Sequence, residues 1–164
     1  MQEIIEKIHH GGLLNEMEKI KLSFKKATEL DIDYLLCLRE ETMTEHLINA
    51  GVEVSKESNI NRIMHLFNQA KIIFYNDEKV GFLKVIENTE KIEIIQIQID
   101  PKHQRKGIGQ KILSSIFEKA FCKNLKVTLS VLKGNRAIQL YLKNGFKITA
   151  ENTNSFIMTA QKPQ

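Results

Sequence analysis

One stretch in the second half of the chain, residues 96–113, constrains the fold most strongly. Glutamine alternates with isoleucine over residues 96–99, which is typical of a β-strand, and Pro101 lacks the amide hydrogen that would continue a strand ladder. A charged loop with Gly107 and Gly109 follows, and apolar residues at helical spacing come after it. Because glycine lets a backbone approach a ligand and a helix N-terminus offers unpaired N–H groups, this stretch predicts an anion-binding strand–loop–helix unit.

Two common glycine motifs do not fit this loop. A P-loop requires Gly-Lys-Ser/Thr, whereas Gly109 is followed by glutamine and lysine. A dinucleotide-binding loop requires a third glycine, which is absent. The pattern Gln104-x-x-Gly107-x-Gly109 after Asp100-Pro101 instead resembles the pyrophosphate loop of the GNAT superfamily of acetyl-CoA-dependent N-acetyltransferases. A plain strand-to-helix turn, with glycines that allow tight packing, is the alternative interpretation.

The composition is that of an ordinary folded domain. The chain has 164 residues, of which 42% are hydrophobic and 27% charged, so one sizeable core is expected. The net charge of +4 is spread along the chain and does not by itself indicate nucleic-acid binding. Since no apolar run reaches membrane-spanning length and no secretory leader is visible, we expect a cytoplasmic protein without membrane contact. Cys37 and Cys122 lie in helical patterns and are expected to be buried apolar side chains rather than a disulfide.

Residues 1–19 are predicted to be an extension of a domain that spans residues 20–164. Apolar positions in the extension have helical spacing, but Gly11 and Gly12 interrupt it, so the extension is interpreted as partly helical or partly non-native. His9 and His10 are adjacent and would point in different directions on a helix, so they do not indicate a metal site.

The apolar periodicity predicts one strand, two helices, three strands, a helix, a strand, a helix and a closing hairpin. Thr28 and Ser55 are expected to cap the first two helices. The three consecutive strands form an antiparallel meander, and a right-handed crossover then pairs the last of them in parallel with the next strand. The predicted strands are 22–26, 72–75, 80–86, 92–99, 125–131, 146–148 and 155–159, and the predicted helices are 28–48, 55–67, 107–122 and 135–144.

A second motif lies in residues 131–146. Asn135, Ala137, Tyr141 and the pair Gly145-Phe146 resemble the segment that follows the cofactor-binding strand in GNAT enzymes. The resemblance implies an α/β fold with a central, mostly antiparallel mixed sheet and helices on both faces. A V-shaped opening is expected between two parallel strands of that sheet.

The same resemblance implies acetyl-CoA as the cofactor. Its pantetheine arm would pair with the backbone near Ile97 and Ile99, and its pyrophosphate would lie on the amides of residues 105–109. The unpaired N–H and C=O groups of diverging strands are suited to an amide-bearing ligand. The cofactor-binding residues implied in this way are Ile97, Gln98, Ile99, Gln104, Arg105, Lys106, Gly107, Ile108, Gly109, Gln110, Asn135, Ala137 and Tyr141.

Acetyl transfer from a thioester to an amine requires a deprotonated amine, a donor for the developing oxyanion and an acid for the leaving thiolate. The resemblance makes Tyr141 the candidate acid and the Ile97 amide the candidate oxyanion donor. Glu93, on the cofactor strand, is a candidate base. The alternatives are a core aromatic for Tyr141, a simple helix cap for Asn135 and a lysine-paired strand residue for Glu93, with water relays in place of a base.

In this family the segment between the first strand and the hairpin largely selects the substrate. Arg39, Thr42 and His46 fall near one helical face there and are candidate acceptor-binding residues, with Arg39 placed to hold a carboxylate. A solvated polar face is the alternative. The sequence shows no metal-ligand cluster and no aromatic and basic array typical of RNA binding.

The sequence therefore predicts an N-acetyltransferase that transfers acetyl directly to a primary amine of a small molecule or peptide. It would work as a monomer or homodimer, without a metal or nucleic acid. A non-catalytic acyl-CoA-binding or regulatory module on the same fold is one alternative. An interaction protein that works through its N-terminal segment is another.

Overall fold

The described part of the chain, residues 19–161 of a computed structural model, forms one seven-stranded sheet with four helices. Residues 1–18, on which most of the predicted extension falls, lie outside this range. The predicted order of elements is confirmed, with ends shifted by a few residues. The elements are β1 Leu22–Lys26, α1 Ile32–Asn49, α2 Lys56–Met64, β2 Ala70–Tyr75, β3 Glu78–Glu87, β4 Lys91–Ile99, α3 Ile108–Cys122, β5 Lys126–Leu132, α4 Ala137–Lys143, β6 Lys147–Glu151 and β7 Ser155–Ala160.

The strands lie in the order β1-β2-β3-β4-β5-β7-β6. Every neighbouring pair is antiparallel except β4 and β5, which are parallel and joined through α3. Successive strand residues face opposite sides of a sheet, and this alternation builds two cores. Ile73 and Val80 pack with α3 and α4 on one face, whereas Ile72 and Phe82 pack with α1 and α2 on the other. The predicted mixed sheet with helices on both faces is confirmed.

The starts of α1 and α2 follow the predicted capping chemistry. The backbone N–H and the hydroxyl of Thr28 donate to the Asp31 carboxylate at 2.8 and 3.1 Å, and a short 3₁₀ turn, Glu29–Asp31, then leads into α1. Ser55 and Ser58 exchange backbone and hydroxyl hydrogen bonds of 3.0 and 3.1 Å at the start of α2. Side-chain oxygens thus satisfy amides that a helix start leaves unpaired.

The expected burial of the two cysteines is wrong. Cys37 and Cys122 are free thiols, as expected, but both are exposed. Cys37 lies on the outer side of α1, between the buried Leu35 and Leu38, and Cys122 is the last residue of α3. Helical spacing predicted a helix at both positions, but it did not resolve which face each thiol occupies.

β4 contains a bulge that changes which of its side chains face each core. Lys84 of β3 pairs with Gln96 and Val85 pairs with Ile94, so Ile95 is an extra residue in β4. Ile94 and Ile97 therefore both face the core beneath α3. Gln96, the residue before Ile97, consequently faces the side of the sheet that carries α1 and α2.

We expect the substitution Gly81→Ala in β3 to lower the free energy of unfolding by about 3 kcal/mol, because an ideal Cβ there would lie 2.4 Å from the Gln98 carbonyl oxygen and the strands would have to separate. Gly51→Ala is the control: Gly51 has φ +67° and open space around it, so only backbone strain of about 1 kcal/mol is expected. Urea unfolding measures both. Equal losses would mean that β3 and β4 adjust their spacing freely.

Candidate active site

The sheet opens between its two parallel strands. β4 and β5 pair from Lys91 and Lys126 up to Ile94 and Leu129, and no further. Beyond that point β4 pairs only with β3, and residues 130–132 of β5 pair only with β7. Each strand therefore has one edge without a strand partner, and the two edges face each other across a V-shaped opening.

The backbone of β4 is directed into this opening at alternate residues. The Asp100 N–H donates to the Val80 carbonyl at 2.8 Å, and the Gln98 carbonyl oxygen lies against Gly81, so these groups face β3. Because backbone groups of successive strand residues alternate between neighbours, Ile97 and Ile99 direct theirs towards the opening. The Ile99 carbonyl accepts a hydrogen bond from the Gln104 side chain at 2.9 Å.

A cavity of about 330 Å³ occupies the opening. It is lined by residues 94–98 of β4 and 129–132 of β5, by Asn135 and Tyr141, and on one side by residues of α1, α2 and the segment between them. Its volume lies at the lower end of the range for small-molecule sites.

The loop between β4 and α3 has the backbone geometry of an anion cradle. Arg105 and Gly107 both have positive φ, +59° and +80°, and Gly107 directly precedes the first residue of α3. Within residues 19–161 no side chain caps this helix end, so the first-turn N–H groups can bind a ligand. Arg105 and Lys106 are exposed and add positive charge.

Gly109 differs from Gly107, because its lack of a side chain serves the packing of α3 against α4. A Cβ on Gly109 would lie 3.3 Å from Leu140 Cδ2 of α4, which is tighter than an ordinary contact. For this glycine the packing interpretation holds, since it lets α3 and α4 approach. Gln110 also joins the two helices, because its carboxamide exchanges hydrogen bonds of 2.5 and 2.8 Å with that of Asn144. Its side chain is therefore engaged by α4, and no sequence pattern signalled this pair.

Tyr141 and Asn135 line the cavity from the side of α4. Tyr141 is 6% exposed, and its ring packs edge-on against the Phe146 ring with 5.6 Å between the ring centroids. Burial raises the pKa of the Tyr141 hydroxyl to about 12. The Asn135 Oδ1 accepts a hydrogen bond at 2.9 Å from the N–H of Ala137, the first residue of α4, which begins two residues later than predicted. Ala137 packs towards the core.

Only some of the other predicted side chains line the cavity. Arg39 and Gln98 line the cavity. Thr42 lies behind it, where its hydroxyl donates to the Leu38 carbonyl at 2.7 Å and accepts from Gln98 Nε2 at 3.1 Å. His46 does not line the cavity.

Glu93 does not line the cavity either. Its carboxylate forms an ion pair of 2.7 Å with Lys91 on the same strand. Both side chains are one-third exposed, and such pairs are common on protein surfaces.

Arg62 and Gln96 are among the cavity residues that sequence reasoning missed. Arg62 Nη2 donates to the carbonyl of Ile95, the bulge residue, at 3.0 Å. Gln96 is 7% exposed, and neither polar atom of its carboxamide has a hydrogen-bond partner in the described part of the chain. The signal for Gln96 was its alternation with isoleucine, which places a polar side chain on a covered face of the sheet.

Comparison with known proteins identifies the family. Residues 68–148, from just before β2 into β6, match the sequence model of the acetyltransferase (GNAT) domain. No curated protein matches the sequence. The chain belongs to the GNAT superfamily, which uses acetyl-CoA.

Solved structures show the same fold. The PaiA N-acetyltransferase from Thermoplasma acidophilum, in complex with coenzyme A, is 22% identical with a TM-score of 0.65, over 87% of this chain and 99% of that one. An acetyltransferase from Thermus thermophilus is 18% identical with a TM-score of 0.68, over 87% and 97%. Naa50 from Arabidopsis thaliana, bound to the bisubstrate analogue CoA-Ac-MVNAL, is 18% identical with a TM-score of 0.60, over 86% and 98%.

In the described range no helix is long and apolar enough to cross a membrane.

We expect Gly107→Glu to remove the thermal stabilisation by acetyl-CoA, because it distorts the cradle backbone and adds negative charge there. At a hundred times its Kd, the cofactor should stabilise the unsubstituted protein by about 2.7 kcal/mol. Gly51→Glu is the matched control: Gly51 also has positive φ, +67° against +80°, but open space surrounds it. Gly107→Glu should lose somewhat more stability without ligand, because a Cβ there would lie 3.2 Å from Ile20 Cδ1, and only Gly51→Glu should keep the cofactor-dependent shift. A full shift in Gly107→Glu would place the pyrophosphate elsewhere.

Proposed function

We propose that this chain is an acetyl-CoA-dependent N-acetyltransferase that transfers acetyl directly to a primary amine of a small molecule or peptide. The observation that supports this most is the opening between β4 and β5, because it places the Ile97 backbone, Asn135 and Tyr141 around one cavity. These groups cover the needs of the reaction: a backbone donor, a polar positioning group and a proton donor.

The residues fit the cofactor of the family. When bound, acetyl-CoA supplies an acetyl group activated as a thioester. The first-turn amides of α3 and the backbone of Gly107 are proposed to hold its pyrophosphate. The Ile97 backbone and the Ile99 N–H, which have no strand partner on the open side, are proposed to pair with its amide-bearing arm.

Two groups of the chain are proposed to act on the reacting atoms. The Ile97 N–H donates to the carbonyl oxygen on which negative charge develops. The Tyr141 hydroxyl donates its proton to the sulfur as the thiolate leaves. A pKa of about 12 keeps that proton on Tyr141 at neutral pH, so the hydroxyl is a hydrogen-bond donor to the sulfur. The phenolate formed when the proton moves takes back a proton from the acceptor nitrogen, which loses it as the amide forms.

We expect Tyr141→Phe to lower kcat by about a hundredfold, as is typical for removal of a general acid, while the Kd of acetyl-CoA changes by less than about twofold. Thiol release and calorimetric titration measure the two quantities. Tyr75→Phe is the matched control, because Tyr75 packs against the same core but does not line the cavity. Unchanged kcat in Tyr141→Phe would assign Tyr141 to the core alone. If the unsubstituted protein binds acetyl-CoA but turns over no amine, the non-catalytic acyl-CoA-binding module is the better description.

The amine is proposed to lose its proton to water, because Glu93 does not line the cavity and its carboxylate pairs with Lys91. We expect Glu93→Gln to change kcat/KM by less than about twofold and to leave its pH profile unshifted. The stability change should stay below about 1 kcal/mol, as for other partly exposed ion pairs. Loss of an ionisation from the acidic limb of the profile, together with a large fall in kcat, would restore Glu93 as the base.

A further inference from the structure

We propose that the part of the cavity beside α1 and α2 is a carboxylate-binding subsite, so that the acceptor is an amine carrying a carboxylate on the same small molecule. This inference rests on the proposed function and deepens it. It depends on Arg39, Arg62 and Gln96, which line one side of the cavity, and on Lys84, which is buried nearby and does not line it.

The cavity is lined by two guanidinium groups and by no carboxylate. Arg39 and Arg62 are its only charged lining residues within the described range. Arg39 Nε donates to Asn59 Oδ1 at 2.8 Å, and Arg62 Nη2 donates to the Ile95 carbonyl at 3.0 Å. These contacts fix both side chains but use only a few of the five N–H donors that each guanidinium carries, so planar donor edges remain for a ligand.

A third cation lies under the same face of the sheet. Lys84 of β3 is fully buried, and its Nζ donates to the carbonyls of Ile63 at 2.9 Å, Arg62 at 3.3 Å and His65 at the end of α2. The ion pairs formed between described residues do not include Lys84, Arg39 or Arg62. Burial and the neighbouring arginines lower the pKa of Lys84 to about 8, and burial and Arg62 lower that of Arg39 to about 10. An anion bound here would offset this mutual repulsion.

Gln96 independently indicates a ligand. It lines the cavity, is more than nine-tenths buried, and leaves both Oε1 and Nε2 without a partner within residues 19–161. A buried polar group of this kind is destabilising unless something pairs with it. An amino carboxylate supplies both partners, since a carboxylate oxygen accepts from Nε2 and an amine N–H donates to Oε1. Gln98 beside it is already held by Thr42 at 3.1 Å.

The charge of the subsite separates acceptor classes. A polyamine would add positive charge beside Arg39 and Arg62, which is unfavourable at short range. A neutral amine would leave the guanidinium edges without an anion. A carboxylate matches the planar donor fork of arginine and is the group that such forks bind bidentately.

The experiment compares primary amines in pairs that differ only in a carboxylate or a carboxamide: free amino acids of acidic, polar, aliphatic and aromatic side-chain types, each with its amide. Thiol release at saturating acetyl-CoA gives kcat/KM. We expect at least one carboxylate to exceed its amide by about tenfold or more. The comparison is conservative, because the amine of an amino acid amide has the lower pKa and is more often unprotonated.

Substitutions of Arg62 and Arg39 test whether these residues cause the preference for a carboxylate over a carboxamide. Arg62→Met, at an exposed position, should bring the carboxylate-to-carboxamide ratio close to one while the KM of acetyl-CoA stays within about twofold, and Arg62→Lys should recover part of the ratio. Arg39→Met is the second variant. Lys71→Met, which removes an exposed cation of β2, should leave the ratio unchanged. A ratio unaffected by Arg62→Met and Arg39→Met would overturn the inference.

A binding measurement keeps the two proposals distinct. With coenzyme A present, an N-acetyl amino acid should raise Tm more than its carboxamide, and Arg62→Met should remove the difference. Equal turnover of acids and amides, or a preference for amides or polyamines, would overturn the carboxylate subsite and leave the transferase standing. Absence of turnover with every amine, and of any Tm shift with acetyl-CoA, would instead overturn the proposed function.

Discussion

The end of hydrogen bonding between β4 and β5, just after Ile94 and Leu129, is the constraint on which the rest of the site depends. A sheet that opens in its middle leaves two rows of backbone groups without a strand partner, and unpaired backbone groups are costly when water cannot reach them. Side chains supply some of the missing partners: Gln104 for the Ile99 carbonyl and Arg62 for the Ile95 carbonyl. The remaining groups face a cavity that an amide-bearing cofactor can fill, so the feature that weakens the sheet also makes it a binding site.

The bulge at Ile95 determines what the two sides of the opening contain. The β4 residues that face the core beneath α3 are even-numbered before the bulge, Ile92 and Ile94, and odd-numbered after it, Ile97 and Ile99. The extra residue lets the isoleucines on both sides of it pack under α3. It also turns the glutamines to the face of α1 and α2, where the arginines lie. The parity change is visible in the sequence, but only the pairing with β3 shows which residue is extra.

The features of the fold that were predicted well are those that depend on residues close together in the sequence. The capping pairs at Thr28 and Ser55 and the alternation in β4 depend on neighbours a few residues away, and the structure contains them. A feature that depends on distant partners was not predictable: Gln110 meets Asn144 across two helices. The pairing of Glu93 with a lysine was one of the alternatives, and the partner is Lys91, two residues away on the same strand. The two motifs follow the strands that diverge, but they contained no information on how α1 and α2 would cover the opening.

The buried Lys84 connects the packing of α2 with the positive side of the cavity. Its ammonium donates to three carbonyls at the end of α2, the helix that carries Arg62, so a long apolar side chain in the same space would leave these carbonyls unpaired. Lys84 thus fixes the helix end beside Arg62 and adds to the positive charge around Arg39. Among the described residues none of these three cations forms an ion pair, so their mutual repulsion is not offset, and an anion in the cavity would reduce it.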